Sequence, residues 1–308
     1  ANTTQKRRQE KALHRHLVTC HPMPRQLVAC HLMPRQLVAS HLMPNRLALS
    51  VIPLTIVLVA LLLWIANRGE PALESVTPDF GAISDVKTKK RTFFAYLLPM
   101  VQQSNRDIRQ ERAAFLKVSK QLAHKRPLTK KQTESIRLLA KKYRVTTGEP
   151  LSENAITSEN VMTLLDRRID SIPASLALAQ AANESGWGTA RFAVKGNNYF
   201  GLWCWSSNCG LVPNKREKGA SHEVSRFKTP VDSVKNYMLT LNSPPAYKKL
   251  RDLRVAARNN HTPVAGAVLT GGLLSYSERG EAYIEELRAM IRINNLSQFD
   301  QGNVGPAP

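Results

Sequence analysis

Acidic residues are scarce in this chain. Only 23 Asp and Glu residues stand against 44 Lys and Arg residues, which gives a formal net charge of +21 over 308 residues. Such an excess favours polyanionic partners: nucleic acids, anionic lipid headgroups or acidic wall polymers. The sequence carries no helix-turn-helix, zinc-finger or aromatic-basic signature of nucleic-acid binding. We therefore expect no nucleic-acid partner, and envelope polymers and lipid remain.

Cysteine is also rare, with four residues in two pairs, Cys20 with Cys30 and Cys204 with Cys209. The four residues between Cys204 and Cys209 do not match the two-residue spacing of a metal clip, and His222 is the one histidine near them. We predict no metal site and no cofactor. We expect a Cys204–Cys209 disulfide formed in an oxidising compartment, with two free buried thiols as the alternative.

Charge is absent from residues 47–66, LALSVIPLTIVLVALLLWIA. A run of about 20 apolar residues is long enough to span a bilayer. Basic residues precede it, so the positive-inside rule places the N-terminus in the cytoplasm. We predict a transmembrane signal-anchor that is not cleaved; a buried helix of a soluble domain is the alternative.

Residues 1–42 contain a ten-residue repeat with a Met-Pro pair in each copy, which is too short for a solenoid unit. We expect this segment to be disordered and to derive from a DNA repeat upstream of a true start at Met33 or Met43. Residues 67–85 are predicted to be a linker.

Helical periodicity dominates the remaining sequence. We predict a helical region at residues 86–150, a catalytic domain at 151–298 and a tail at 299–308. Within the catalytic domain, helices are predicted at residues 160–169, 231–241, 247–259 and 279–294. The polar, Gly-interrupted stretch 211–227 favours a small β flap. The fold class is therefore mainly α, or α+β.

The stretch 171–200 organises the domain. Pro173 suits a helix start, with Ser171 or Asp170 as the cap, and apolar residues on every face predict a buried helix that stops at Gly186. Glu184 comes at the end of this helix. The negative end of the helix dipole and burial both raise a carboxyl pKa, as a general acid requires. An exposed helix-end glutamate is the alternative.

Aromatic and amide side chains follow Glu184 closely. Carbohydrate clefts use aromatic faces for sugar rings and amides for hydroxyl and acetamido groups, so these side chains are candidate substrate-binding residues. They are Trp187, Asn197, Asn198, Tyr199 and Phe200. Core packing is the alternative for the three aromatic residues.

The segment AQAANESGWGTARFAVKGNNYFGLW resembles the glucosaminidase (mannosyl-glycoprotein endo-β-N-acetylglucosaminidase-like) domain of glycoside hydrolase family seventy-three. The resemblance is specific over residues 171–295 and weaker over 86–170. Among the family's members, the sequence is most similar to the bacterial Bax-like proteins, and the flagellar peptidoglycan hydrolases are more distant. The resemblance implies a lysozyme-like fold with a β flap.

The resemblance also implies catalytic roles. Glycosidases ordinarily pair a protonated with an ionised carboxyl group. Glu184 would be the acid, and Glu223 or Glu217 on the flap the second group, with Glu223 favoured because strand alternation points it to the cleft. The substrate's own acetamido group is a further option. Tyr276 and Tyr283 resemble the family's paired tyrosines, Tyr276 as a catalytic and Tyr283 as a substrate-binding residue, with helix packing as the alternative.

Together, these expectations predict a membrane-anchored peptidoglycan hydrolase, an endo-β-N-acetylglucosaminidase that acts on glycan strands. It would cross the inner membrane once and place its catalytic domain in the periplasm. A lytic transglycosylase and a catalytically inactive wall-binding protein are the alternatives.

Overall fold

The structure is a computed structural model, and it describes residues 57, 76–145, 152–214, 216 and 219–300. The chain divides into two units, Ala1–Gly69 and Glu70–Pro308, and the described residues after Val57 all belong to the second. Within the described residues no helix has the length and apolar character needed to cross a bilayer. The predicted repeat and, apart from Val57, the predicted span at 47–66 lie outside the described residues.

The described part of the chain is mainly helical, as predicted. Its ten α-helices are α1 Val86–Ala123, α2 Lys130–Lys142, α3 Glu153–Ile156, α4 Glu159–Arg168, α5 Ala174–Ser185, α6 Arg191–Gly196, α7 Pro230–Asn242, α8 Lys248–Asn259, α9 Gly266–Leu269 and α10 Glu281–Ile293. Short 3₁₀ turns lie at Pro245–Tyr247, Thr270–Gly272 and Leu296–Asp300.

A small three-stranded antiparallel sheet interrupts the helices. Its strands are β1 Trp203–Cys204, β2 Gly210–Leu211 and β3 Glu223–Ser225, in the order β1-β3-β2. Trp203 pairs with Val224, and Leu211 pairs with the same residue from the other side. The predicted β flap is therefore present, but it also includes β1, which lies before the predicted stretch 211–227.

Helix α5 lies in the middle of the main core. Every residue from Ala174 to Ala182 is buried, which confirms the helix predicted from its all-round apolar character. The cap differs from the prediction, because Pro173 is the N-cap and makes no side-chain cap hydrogen bond. Asp300 supplies the cap from the distant 3₁₀ turn: its carboxylate accepts hydrogen bonds from the Ser175 amide (2.9 Å) and the Ser175 hydroxyl (2.6 Å).

One core joins the two regions that were predicted separately. The apolar face of α1, including Phe93 and Leu97, packs in the same hydrophobic cluster as α5, α7 and α10. Phe80, which was expected in a linker, is 2% exposed and packs edge-on against Phe93. A second cluster fills the space between the C-terminal half of α1 and α2, α3 and α4. The helical region therefore forms part of the fold that holds α5.

A buried charge network fixes the chain just before α5. The guanidinium of Arg254 donates hydrogen bonds to the carbonyl oxygens of Ser171 (3.1 Å) and Arg167 (2.9 Å) and to the side chain of Asn242 (2.8 Å). Its Nε lies 3.1 Å from Asp170 Oδ2. Burial lowers the pKa of Arg254 to about 10, which still leaves it charged at neutral pH. These contacts satisfy backbone carbonyl groups that would otherwise be buried without donors.

Candidate active site

Glu184 lies in the last turn of α5, at a helix end that folds sharply. Gly186 adopts the left-handed conformation (φ 53°) and ends the helix, as the sequence predicted. The Ser185 hydroxyl donates to the Ala181 carbonyl oxygen (2.6 Å) and accepts from the Gly188 amide (2.8 Å). These bonds hold the turn and leave the Glu184 side chain half-buried.

The carboxyl group of Glu184 ends a chain of buried hydrogen bonds. The Tyr237 hydroxyl donates to Gln180 Oε1 (2.7 Å), and Gln180 Nε2 donates to the Tyr283 hydroxyl (2.8 Å). Tyr283 in turn donates to Glu184 Oε1 (2.8 Å). The two glutamate oxygens therefore differ, since Oε2 lies beside Gly201. A Cβ added at Gly201 would come within 3.6 Å of that oxygen.

The surroundings raise the pKa of Glu184 above its ordinary value. Burial is the largest cause, because it disfavours the charged form, and Glu286 adds to the rise. Hydrogen bonds from Tyr283 and Asn183, together with Arg279, act in the opposite direction and reduce the rise. A carboxyl group that keeps its proton toward neutral pH can serve as a general acid.

The raised pKa predicts that Glu184→Gln stabilises the protein at neutral pH. A raised folded-state pKa means that the folded state binds more protons, so stability falls as pH rises from the unfolded pKa through the folded pKa. Gln cannot ionise and can still accept from Tyr283. We expect a higher melting temperature for the variant at neutral pH and none of this gain below pH 4.5, the ordinary value for Glu. Scanning calorimetry at several pH values measures it, and a variant less stable at neutral pH would contradict it.

Glu184 opens onto a cleft of about 400 Å³. The residues that line it are Glu184, Phe192, Gly201, Trp203, Pro213, Arg216, His222 and Val224. Among the described residues, Glu184 is the only carboxylate in this lining. The wall opposite the helix end is therefore built from the small sheet and the loop before β3.

An aromatic platform that sequence reasoning missed lies in this cleft. Trp203 is 52% exposed and stacks on the His222 ring, with centroids 4.2 Å apart and planes at 18°. Trp203 and His222 lie across the β1–β3 pairing, next to the registered pair Trp203–Val224. An exposed flat face of this kind suits a sugar ring. The signal was present in the alternation around β3, where His222 and Val224 share one face.

The predicted amide contacts are directed to the protein's own backbone. Asn197 donates to the carbonyl oxygens of Phe227 and Lys228, both at 3.1 Å. Asn198 is 2% exposed and donates to the carbonyl oxygens of Leu202 and Ser225, both at 2.9 Å. The Asn198 oxygen also accepts from two backbone amides. These amides therefore tie the segment after α6 to the sheet, which corrects the prediction that they face substrate.

The predicted aromatic contacts belong to the core. Tyr199 and Phe200 are each 1% exposed, and Phe200 stacks on Tyr237 with centroids 4.0 Å apart. Trp187 packs edge-on against Phe94 at 5.3 Å. None of these three rings lines the cleft in the described residues, so their prediction as substrate-binding residues is corrected to the core alternative.

Tyr276 and Tyr283 lie beside Glu184 in different roles. Their rings stack with planes at 4° and centroids 5.8 Å apart. The Tyr276 hydroxyl donates to the Phe200 carbonyl oxygen (2.8 Å), whereas the Tyr283 hydroxyl contacts Glu184. In this arrangement Tyr276 orients Tyr283, and Tyr283 orients the carboxyl group.

Glu223 is turned away from the cleft, opposite to the predicted orientation. It is 7% exposed, and its two carboxylate oxygens accept from the backbone amides of Asn208 (3.2 Å) and Gly210 (2.8 Å). The Asn208 amide belongs to the loop that the Cys204–Cys209 disulfide closes, and the Gly210 amide follows that loop directly, at the start of β2. The sequence prediction assigned Glu223 to the wrong face of the strand. His222 and Val224 point to the cleft, and because side chains alternate along a strand, Glu223 points to the loop.

Two further groups of residues belong to the same flap. The donor atoms of Cys204, Cys209 and Glu223 lie within 4.8 Å of one another, the spacing of a metal cluster. The two sulfurs are bonded to each other and the carboxylate accepts backbone amides, so these donors are already engaged. Glu217 lies outside the described residues, directly after Arg216, which lines the cleft.

Comparison with known proteins identifies the family of the chain. The model of the Glucosaminidase family, described as mannosyl-glycoprotein endo-beta-N-acetylglucosaminidase, matches residues 165–296, from the end of α4 through α10. The chain is 30% identical over 223 residues to Protein bax of Escherichia coli (strain K12), covering 72% of this chain and 76% of that protein. No solved structure matches the chain significantly. The chain therefore belongs to the Bax-like family of proteins that carry a glucosaminidase domain.

Proposed function

We propose that the protein is a peptidoglycan hydrolase, an endo-β-N-acetylglucosaminidase that cuts glycan strands with Glu184 as its general acid. The supporting observation is a half-buried carboxyl group with a raised pKa, held by Tyr283 at the edge of an open cleft that carries an exposed tryptophan. Protonation of the leaving oxygen by such a group is the step that glycoside cleavage needs. The family assignment supports the same class of substrate.

Glu217 is the proposed second catalytic group. Its sequence position, next to the cleft residue Arg216, supports this choice, whereas Glu223 accepts hydrogen bonds from the backbone amides of Asn208 and Gly210. Tyr276, proposed from the sequence as catalytic, acts in this scheme through the stacked ring of Tyr283.

Separate glutamine substitutions distinguish the two flap acids. We expect Glu217→Gln to lower kcat on purified peptidoglycan by about 100-fold or more, since carboxylate catalysis contributes on that order. We expect Glu223→Gln to leave kcat within a few-fold and to lower the melting temperature, because the glutamine side chain has one acceptor oxygen for two backbone N–H donors. Near-full activity of the Glu217 variant would contradict its proposed role, and near-full activity of both variants would favour the substrate's own acetamido group in this role.

Trp203 is the proposed sugar platform, and a matched pair of substitutions tests it. Trp203→Ala should raise KM about tenfold with little change in kcat, since loss of an aromatic contact removes about 1 kcal/mol or more of binding. Trp205 is 71% exposed, lies two residues away and does not line the described cleft. Trp205→Ala should therefore leave KM unchanged, and an equal effect of both would remove Trp203 from this role.

The proposed location is the periplasmic side of the inner membrane, with the apolar run 47–66 as a single anchor. A disulfide on the flap fits an oxidising compartment. Cysteine-accessibility mapping of full-length protein in cells tests the orientation, and cytoplasmic labelling of a cysteine placed after residue 70 would contradict it.

Among the described residues that line the cleft, Glu184 is the one carboxylate, which also supports a second candidate, a lytic transglycosylase, because that reaction needs one acid only. Mass spectrometry of digested peptidoglycan separates the two. Reducing N-acetylglucosamine ends support the hydrolase, and anhydro-muramyl ends support the transglycosylase. Absence of both products would favour the third alternative, a catalytically inactive wall-binding protein.

A further inference from the structure

The hairpin between α1 and α2 concentrates positive charge without any counter-charge. Residues 113–133, which we name the basic hairpin, contain no Asp or Glu. Its six basic residues are all exposed: Lys117, Lys120, Lys125, Arg126, Lys130 and Lys131. In the part of the chain that the structure describes, none of the six forms an ion pair. Cations nearer the core on the same helices do pair, Arg112 with Asp166 and Lys142 with Glu111.

The turn of the basic hairpin is rigidly built. Thr129 and Gln132 form a capping box at the start of α2. Gln132 Nε2 donates to Gln121 Oε1 (2.8 Å), and Gln121 donates to the Pro127 carbonyl oxygen (2.6 Å). Beneath the turn, the second hydrophobic cluster packs α1 against α2. The six cations are therefore presented on a fixed scaffold.

The charge distribution opposes what local stability favours. Helix first turns favour acidic residues, because the N-terminal end of the helix dipole is positive. Helices α4, α7 and α10 follow this rule with Glu159, Asp232 and Glu281. Helix α2 has no acid in its first turn and begins with Lys130 and Lys131, and α8 likewise begins with Lys248 and Lys249 and has no acid there. At the basic hairpin, the two lysines at the start of α2 add positive charge that no first-turn acid offsets.

Exposed leucines accompany the cations. Leu116 is 42% exposed and lies one helical turn from Lys120, and Leu138 is 60% exposed and lies two turns from Lys131. Basic side chains interleaved with apolar ones match a lipid interface, where headgroups take the charge and the acyl boundary takes the leucines. A soluble polyanion would bind to the basic side chains and would not need the exposed leucines.

We propose that the basic hairpin docks on the surface of a bilayer that contains anionic phospholipid. The hairpin lies at the end of α1, a helix of 38 residues, far along the chain from the apolar run 47–66. This proposal is independent of the glycosidase chemistry.

Vesicle sedimentation tests it with a chain that begins at residue 70, since both hydrophobic clusters lie within Glu70–Pro308. Near-UV circular dichroism checks that each variant is folded. We expect binding to vesicles of phosphatidylcholine with phosphatidylglycerol, little binding to phosphatidylcholine alone, and loss of binding at high salt. The triple change Lys125→Gln, Arg126→Gln and Lys130→Gln should weaken the partition on the order of 100-fold.

The control variant removes the same charge elsewhere. Lys195→Gln, Lys228→Gln and Lys249→Gln change three exposed lysines outside the hairpin and should leave binding within a few-fold. An equal loss in both triple variants would overturn the proposal, because binding would then follow total charge. Leu116→Ser with Leu138→Ser should weaken vesicle binding but not binding to a soluble glycerol-phosphate polymer. Binding to that polymer and not to vesicles would also overturn the proposal.

Discussion

Glu184→Gln is expected to abolish cleavage of peptidoglycan, with a fall in kcat of about 1,000-fold or more. General acid catalysis contributes about 100-fold to 10,000-fold, and Gln cannot donate the proton. The substitution keeps the shape of the side chain and the acceptor for Tyr283. Release of soluble fragments from purified peptidoglycan measures the change, with zymography as the independent readout.

Glu285→Gln is the matched control for that experiment. Glu285 is 66% exposed and pairs with Arg288, so the same chemical change there should leave the rate within twofold. Clearing of peptidoglycan by the Glu184 variant at the native rate would remove Glu184 from its proposed role. A fall in the rate of both variants would point to altered stability instead, and the melting temperatures would show it.

Arg254→Met is expected to cause the largest loss of stability, about 3–5 kcal/mol. The change leaves Asp170 with a weaker partner and deprives the carbonyl oxygens of Ser171 and Arg167 of their donor. Breaking a buried pair from one side costs this much, because the remaining charge stays buried. Denaturant unfolding measures the free energy, and a shift in melting temperature on the order of 10 °C should accompany it.

Arg258→Met tests whether burial explains that loss. Arg258 lies 3.1 Å from the same Asp170 oxygen, but its side chain is 29% exposed, against 1% for Arg254. The smaller burial predicts a loss of about 1 kcal/mol or less. Equal losses would show that the pairing with Asp170, rather than the buried backbone contacts, controls the stability.

The fold was predictable wherever local signals agree with the tertiary structure. Thr129 and Gln132 form the capping box at the expected start of α2, and Gly186 ends α5 where the sequence placed its stop. The cap on Ser175 was not predictable, because Asp300 reaches it from 125 residues away. Nor could composition show that Phe80 is buried, since its partners lie on α1 and beside Gly188.

The helix end that carries Glu184 was predictable from the sequence, and the arrangement of the side chains around it was less so. Its position at a buried helix end follows from local sequence alone, and so does the direction of its pKa shift. The partners depend on tertiary contacts. A polar or aromatic residue near the acid in sequence can point either way, and Asn198 and Tyr199 point inward while Trp203 points outward. One step in strand register separates Glu223 from the cleft residues His222 and Val224.

The hydrogen-bond chain from Tyr237 to Glu184 runs in one direction only. Gln180 accepts from Tyr237 through its oxygen, so its nitrogen faces Tyr283. The Tyr283 hydroxyl accepts from Gln180 and donates its own proton to Glu184 Oε1. In this arrangement Oε1 is an acceptor, which leaves Oε2 as the oxygen that can carry the proton of Glu184. That oxygen lies beside Gly201 in the cleft lining, so in the proposed mechanism the absent side chain of Gly201 would leave room for the acidic proton to reach a glycosidic oxygen.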